Sequence, residues 1–299
     1  MIKKTFKPII AILIWSFSIL VNSSYASDKN EITWYRPDFP PANFVDGLME
    51  GLGYNDQTQK FLTKNLSQYQ HYNAVASYKR ALHNLRFGNG CVIGLFKTKD
   101  REKYLTFSMP NLITFPNGVV FKEDDFKKFQ PYINDEQFIS IKKLLNNQSL
   151  VVGIADGRRY SGGIDKNLFQ HQRQSNVHLR SGSNVFTDLL NMLDRNRIDY
   201  LFGFPEELEY YTSLGVLQHK MRFVPVQEMP QYEQSYIACS KNTWGEQVIA
   251  DINILLKKYR STSEYLRFYE FWLDFDSKKR HHQLSKKVLN SEVKINKEN

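Results

Sequence analysis

The sequence predicts an α/β protein in which strands and helices alternate around a largely parallel sheet. Short apolar runs typical of strands alternate with apolar spacings typical of helices. These segments are strand 31–35, helix 54–66, strand 69–75, helix 77–87 and strand 91–96. Gly88 follows the second helix, where glycine commonly ends helices. A strand–helix–strand order is typical of a parallel sheet, because parallel strands need a crossover connection.

A second group of elements begins near residue 150. The apolar run 150–154 predicts a strand, and a loop rich in glycine and arginine follows it. Val185, Leu189 and Leu193 repeat every four residues, so an amphipathic helix is predicted over 184–196, with a strand at 198–204. A further helix with one apolar face is indicated near the carboxyl end by Val248, Ile252, Leu255, Leu256 and Tyr259.

The amino end has the pattern of an export signal. Lys3, Lys4 and Lys7 precede an apolar run at residues 9–21, and small residues reach Ala26. We therefore predict a signal peptide at residues 1–26, cleaved after Ala26, and a mature chain that is exported and not embedded in a membrane. An uncleaved anchor is the alternative, but the apolar run is short for a transmembrane helix.

The positive charge is concentrated at the two ends of the chain. The formal net charge is +9, of which the signal contributes three lysines and residues 277–299 a net +5. Residues 27–276 are therefore nearly neutral, which argues against a nucleic-acid partner. The basic segment 277–299 is predicted to be a disordered tail. Adjacent His281 and His282 in such a tail do not by themselves make a metal site.

The chain has two cysteines, Cys91 and Cys239, in apolar segments that read as strands. In an oxidising compartment such a pair can form a disulfide. Two buried free thiols are the alternative, since the geometry of the pair cannot be read from the sequence.

An arginine lies where the strand at 91–96 passes into a polar turn. Arg101 follows this turn and precedes Phe107, Ser108 and Pro110. The end of a strand is a position from which side chains project into clefts. A guanidinium group there presents a planar set of donors that suits a carboxylate. A solvated charged turn is the alternative interpretation.

The order of several motifs resembles that of periplasmic solute-binding proteins of family 3, whose best-known members capture amino acids for ABC importers. The resemblance covers about residues 28–274. The residues of these motifs are more similar to a divergent, poorly characterised branch of these exported proteins than to the amino-acid binders themselves. The matching segments are Ile32-Thr33-Trp34, Phe39-Pro40-Pro41, Asp46-Gly47, Lys97-Thr98 with Arg101, Phe107-Ser108 with Pro110, Val152-Gly153-Ile154 with Gly157, Arg197-Ile198-Asp199-Tyr200 and Ala238-Cys239-Ser240-Lys241.

The resemblance implies two α/β lobes with mixed, mostly parallel sheets, joined by two hinge strands, with the ligand between them. Lobe 1 would comprise residues 27–117 and 227–276, and lobe 2 residues 118–226. The turn residues Pro116, Asn117 and Gly118 support the first boundary. Clefts between lobes are common ligand sites, and hinged lobes can close on a ligand.

In lobe 1 the resemblance implies that Arg101 binds the ligand carboxylate. Phe39 corresponds to an aromatic residue that packs on the ligand, although an ordinary core phenylalanine is equally consistent with the sequence. Thr98 can donate its hydroxyl group to the ligand or cap the turn. Trp34, in the first strand, is included in the predicted ligand-binding set.

In lobe 2, Arg159 corresponds to a serine or threonine that binds the same carboxylate. Arg158, Arg159 and Ser161 can form a second anion-binding loop with backbone N–H groups, or the arginines can be solvated. Phe204 stands where the family has an acid that binds the ligand ammonium group. Glu206 can replace that acid, or it can simply begin a helix, where acids are favoured.

The sequence contains no G-x-S-x-G, H-E-x-x-H or P-loop motif, and no enzyme, metal or cofactor is predicted. We predict a monomeric exported protein that captures a small, carboxylate-bearing ligand, acting with an ABC permease. A periplasmic sensor or accessory protein with the same fold and no transport role is the alternative. A hydrolytic enzyme is the least favoured alternative.

Overall fold

The computed structural model describes residues 30–298 except 157, 161, 172–173 and 182–184, with side chains described as far as residue 289. The predicted signal peptide, Gly157 and Ser161 lie outside the described residues. The described strands are β1 (Glu31–Arg36), β2 (Gln70–Val75), β3 (Cys91–Leu95), β4 (Leu105–Phe107), β5 (Leu112–Thr114), β6 (Gly118–Lys122), β7 (Val152–Ala155), β8 (Val177–Arg180), β9 (Tyr200–Gly203), β10 (Met221–Pro225) and β11 (Glu233–Ser240).

The helices are distributed along the whole described chain. They are α1 (Tyr54–Asn65), α2 (Tyr78–Asn84), α3 (Phe126–Phe129), α4 (Ile141–Leu145), α5 (Gly162–His171), α6 (Val185–Asp194), α7 (Pro205–Ser213), α8 (Thr243–Tyr259), α9 (Ser263–Glu270) and α10 (Phe275–Glu298). Among these described helices, none combines the length and apolar character needed to cross a membrane.

The described strands form two mixed sheets. The first has the order β2-β1-β3-β11-β4, with β5 also paired to β11, and the second has the order β10-β6-β9-β7-β8. The pairings of β1 with β2 and β3, and of β7 with β8 and β9, are parallel. The predicted α/β class with mixed sheets is confirmed. The antiparallel share is larger than predicted, because β11 runs antiparallel to β3, β4 and β5, and β6 runs antiparallel to β9 and β10.

Each sheet has its own apolar core, and the chain crosses between the sheets twice. One core contains residues such as Ile32, Leu62 and Val248, and the other contains residues such as Val120 and Leu193. The crossings lie at residues 115–117 and 226–232. The predicted lobe boundaries at 117 and 227 fall within these crossings, and we propose them as the hinge.

A disulfide joins β3 to β11. Cys91 and Cys239 are opposite each other in the strand register, with their Cα atoms 4.1 Å apart. Both residues are fully buried in the core of the first sheet. The bond therefore ties the chain before the first crossing to the chain after the second.

The prediction of a disordered tail is wrong over residues 277–298, which belong to helix α10. Ser277, His281, Ser285 and Leu289 are buried at four-residue spacing along one face of this helix. His281 contacts the Glu270 carboxylate at 3.1 Å and the carbonyl oxygen of Ile113 at 3.0 Å. The buried face is mostly polar, so an apolar periodicity, the usual sequence signal of a packed helix, is missing.

Candidate functional site

A cavity of about 300 Å³ lies between the two lobes and is lined by residues of both. The first lobe contributes the loop after β1, the first turn of α1, the start of α2 and the carboxyl end of β3. The second lobe contributes the loop after β7 and the first turn of α7. The lining residues are Phe39, Tyr54, Asn55, Tyr78, Gly94, Leu95, Phe96, Arg101, Thr114, Arg158, Arg159, Phe204, Glu206 and Ser235.

Arg101 lies on a short 3₁₀ turn, Arg101–Lys103, that follows β3. Its guanidinium donates to the carbonyl oxygen of Phe96 at 2.7 Å, which holds the side chain against the end of the strand. In the described part of the chain, no carboxylate forms an ion pair with Arg101. The guanidinium therefore keeps donors that can reach an anion in the cavity.

Thr98 supports this turn and does not line the cavity. Its hydroxyl oxygen accepts a hydrogen bond from the backbone N–H of Arg101 at 3.3 Å. Of the two roles that the sequence leaves open for Thr98, the structure shows the turn cap.

Of the two aromatic candidates in lobe 1, only Phe39 lines the cavity. Its ring meets the ring of Tyr78 edge-on, with centroids 6.2 Å apart. Trp34 is 1% exposed and donates from its indole nitrogen to His71 at 3.1 Å. The structure places Trp34 in the core of the first sheet and not at the cavity, because its position in β1 directs the side chain into the packed face.

Arg158 lines the cavity, but an acid of its own lobe neutralises it. Its guanidinium forms two hydrogen bonds to the carboxylate of Glu207, at 3.0 and 2.6 Å, and a third to Asn117 at 3.2 Å. The group also lies over the ring of Phe204 at 5.4 Å. Burial opposes the charge, but the adjacent Glu207 outweighs burial, and the pKa of Arg158 is raised. Arg158 is thus a fixed part of the wall.

Arg159, the next residue, is exposed and reaches the same cavity. No ion pair of Arg159 is seen within the described residues. Arg101 and Arg159 therefore bring a positive charge to the cavity from each lobe. The predicted third member of this loop, Ser161, is outside the described residues.

Glu206 and Glu207 occupy the first turn of α7 and have different roles. Glu207 accepts a hydrogen bond from the backbone N–H of Phe204 at 3.1 Å, so it caps the helix as well as pairing with Arg158. Glu206 is 3% exposed, lines the cavity and accepts a hydrogen bond from the Tyr269 hydroxyl at 2.8 Å. Burial, followed by the nearby charge of Glu207, raises the pKa of Glu206 to about 8. Glu206 is therefore mainly protonated at neutral pH.

Asn55 and Gly94 are cavity residues that the sequence analysis missed. Asn55 is 2% exposed, and its side-chain oxygen has no hydrogen-bond partner among the described residues. Gly94 has a φ of +89°, and a Cβ atom there would lie 2.4 Å from the Asn55 side-chain nitrogen. Glycine is therefore required both for the backbone conformation and for the close approach of Asn55. The sequence feature that could have identified this position is a glycine inside an apolar strand.

Other cavities have comparable or larger volumes but less suitable linings. One of about 640 Å³ includes Arg222, which is already paired with Glu123 at 2.7 Å. Another, of about 350 Å³, lies between α10 and the crossings, and there Arg280 stacks on Phe115 at 4.3 Å. The inter-lobe cavity brings together aromatic side chains, two arginines without an ion pair among the described residues and a buried amide oxygen without a partner among them, so we take it as the candidate site.

No protein-family model matches the chain. The chain is 23% identical over 245 residues to the L-cystine-binding protein TcyJ of Bacillus subtilis (strain 168), an alignment that covers 81% of this chain and 83% of that protein. The resemblance to solute-binding proteins of amino-acid ABC transporters is thus confirmed, at the level of divergent relatives.

Solved structures support the same fold. An ancestral cationic amino-acid solute-binding protein matches with a TM-score of 0.62 at 18% identity, covering 82% of this chain and 96% of that one. The probable amino-acid ABC transporter extracellular-binding protein ytmK of Bacillus subtilis matches with a TM-score of 0.60 at 18% identity, covering 82% and 98%. A further match, with a TM-score of 0.55 and 17% identity over 82% and 96%, is an ancestral amino-acid-binding protein described as a precursor of cyclohexadienyl dehydratase. The two-lobed fold is therefore confirmed.

Proposed function

We propose that this chain is an exported solute-binding protein that captures a small, carboxylate-bearing ligand between its lobes and delivers it to an ABC permease. The observation that carries the proposal is the position of Arg101 and Arg159, which approach one cavity from different lobes. An anion bound by both would favour the closed arrangement of the lobes, because only there can both guanidinium groups reach it.

The cavity has a size and composition suited to a small molecule. Its volume of about 300 Å³ is at the lower end of the usual range for ligand pockets. Phe39, Tyr78 and Phe204 supply apolar surface, while the arginines and Asn55 supply polar contacts. This combination supports binding of a compact organic acid.

The amino-terminal pattern and the relatives support the proposal of export and transport. Residues 1–26 have the charge and apolar pattern of a signal peptide. The relatives named above include an L-cystine-binding protein and an ABC transporter extracellular-binding protein. We therefore propose a mature protein in the periplasm that acts as a monomer with a permease partner.

A thermal-shift screen of the purified exported chain against amino acids, organic acids and small amines tests the proposal. We expect at least one carboxylate-bearing compound to raise the melting temperature, because a ligand that binds only the folded state stabilises it. The same compound should not stabilise Arg101→Ala, whereas Arg267→Ala, which changes an exposed arginine of α9 away from the cavity, should respond like the wild type. A screen without any stabilising carboxylate, or an equal shift in Arg101→Ala, would contradict the proposal.

A further inference from the structure

The charges in the cavity bear on the class of ligand. Glu206 is the only acidic side chain among the described residues that line it. The neighbouring Glu207 faces away to Arg158, to which it is joined by two hydrogen bonds. Among the described residues, a ligand in this cavity therefore meets one carboxyl group that is not paired with an arginine.

That remaining carboxyl group is poorly placed to carry a negative charge. Glu206 is packed against Tyr54 and Tyr269, with Glu207 and Arg158 as its charged neighbours. Burial strongly disfavours the ionised form, and the negative charge of Glu207 adds to this effect. A protonated carboxyl group can exchange hydrogen bonds with a polar group, but it cannot neutralise an ammonium ion.

None of the lobe 2 residues that lie outside the described structure is acidic. Positions 157, 161, 172–173 and 182–184 are glycine, serine, glutamine, arginine, glycine, serine and asparagine. Their identities add no acid to lobe 2. Arg101 and Arg159 therefore outnumber Glu206, the one acid among the described residues that line the cavity.

The unsatisfied polar group of the cavity is uncharged. Asn55 is nearly fully buried, and its side-chain oxygen has no partner among the described residues. Because a buried acceptor without a donor is costly, this oxygen is suited to a hydroxyl or amide N–H donor of the ligand. A charged ammonium group would instead leave water for a cavity with excess positive charge.

Resting on the function proposed above, we infer that the ligand is a small organic acid in which an uncharged hydroxyl or amide group stands where an amino acid has its ammonium group. Its carboxylate contacts Arg101 and Arg159, its uncharged polar group contacts Asn55, and its body packs on Phe39 and Phe204.

Calorimetric titration with matched pairs tests this inference. The probes are L-phenyllactate against L-phenylalanine, L-lactate against L-alanine, and L-2-hydroxyglutarate against L-glutamate, all at neutral pH with the exported chain. We expect the tightest-binding of the six compounds to be a hydroxy acid. It should bind at least about tenfold more tightly than the amino acid of the same pair. If an amino acid binds as tightly as its hydroxy acid or more tightly, the inference is wrong while the proposed function stands.

If no member of any pair binds up to millimolar concentration, the inference is overturned, and the thermal-shift screen decides separately on the proposed function. A second arm introduces the charge that the cavity lacks. Phe204→Asp, which places a carboxylate at a half-buried position of the cavity lining, should lower the ratio of hydroxy-acid to amino-acid affinity at least about tenfold, whereas Phe169→Asp, at an exposed position of α5, should leave the ratio unchanged. An unchanged ratio in a folded Phe204→Asp protein would count against the inference.

Discussion

The buried carboxyl group of Glu206 should make the stability of this protein depend on pH in a way that one substitution removes. Burial raises the pKa of Glu206 from its ordinary value of 4.5 to about 8. The folded protein therefore binds a proton that the unfolded chain releases between these two values. Stability from this group is fully present below pH 4.5 and is lost as the pH rises through 8.

The size of the effect follows from the two pKa values. Each pKa unit corresponds to about 1.4 kcal/mol, so ionisation of Glu206 costs about 4 kcal/mol of stability between about pH 5 and about pH 9. Glu206→Gln keeps the shape and the contact with Tyr269 but cannot ionise. The variant should therefore gain stability over the wild type progressively as the pH rises, by about this amount.

Urea denaturation of wild type, Glu206→Gln and Glu136→Gln over this pH range measures the difference. Glu136 is an exposed loop residue, so its variant should follow the wild-type profile. A difference in unfolding free energy between Glu206→Gln and wild type that stays constant with pH would refute the assignment of a buried, protonated Glu206.

Three further outcomes are expected. Arg101→Ala should weaken binding of the ligand found in the screen by about 2–5 kcal/mol, or about one and a half to three and a half powers of ten in affinity. Arg101→Lys should recover only part of the loss, because lysine lacks the planar set of donors. Equal calorimetric dissociation constants for wild type and Arg101→Ala would contradict the role of Arg101. The bond between Cys91 and Cys239 should form on export and stabilise the protein by about 2–4 kcal/mol, and thiol titration under denaturing, non-reducing conditions should find no free thiol. The mature chain should begin at Ser27, and an intact mass that still includes residues 1–26 would show this prediction to be wrong.

The order of strands and helices could be predicted because apolar runs of different period alternate along the chain. Helix α1, for example, begins at the predicted residue and ends one residue early. Helix α10 could not be predicted, because its buried positions are mostly serine and histidine, and His281 contacts the carbonyl oxygen of Ile113, which lies far away in the sequence. Charge composition alone therefore indicated a solvated tail where the chain has a packed helix.

For the candidate site, sequence position identified which loops meet but not how their side chains pair. Arg101, Arg159 and Glu206 reach one cavity from separate segments. The pairing of Arg158 with Glu207 and the burial of Glu206 depend on the approach of the loop after β7 to α7, which no local pattern encodes. The unpartnered amide of Asn55 likewise depends on the packing of α1 against Gly94. These three-dimensional contacts are the reason why an uncharged polar group is expected in the ligand beside its carboxylate.

A crystal structure of the exported chain with the best compound from the screen would test the central claim most directly. We predict the ligand between the two sheets, with a carboxylate oxygen within about 2.7–2.9 Å of a guanidinium nitrogen of Arg101. A ligand found elsewhere, such as in the cavity between α10 and the crossings, or a carboxylate that does not contact Arg101, would contradict the account.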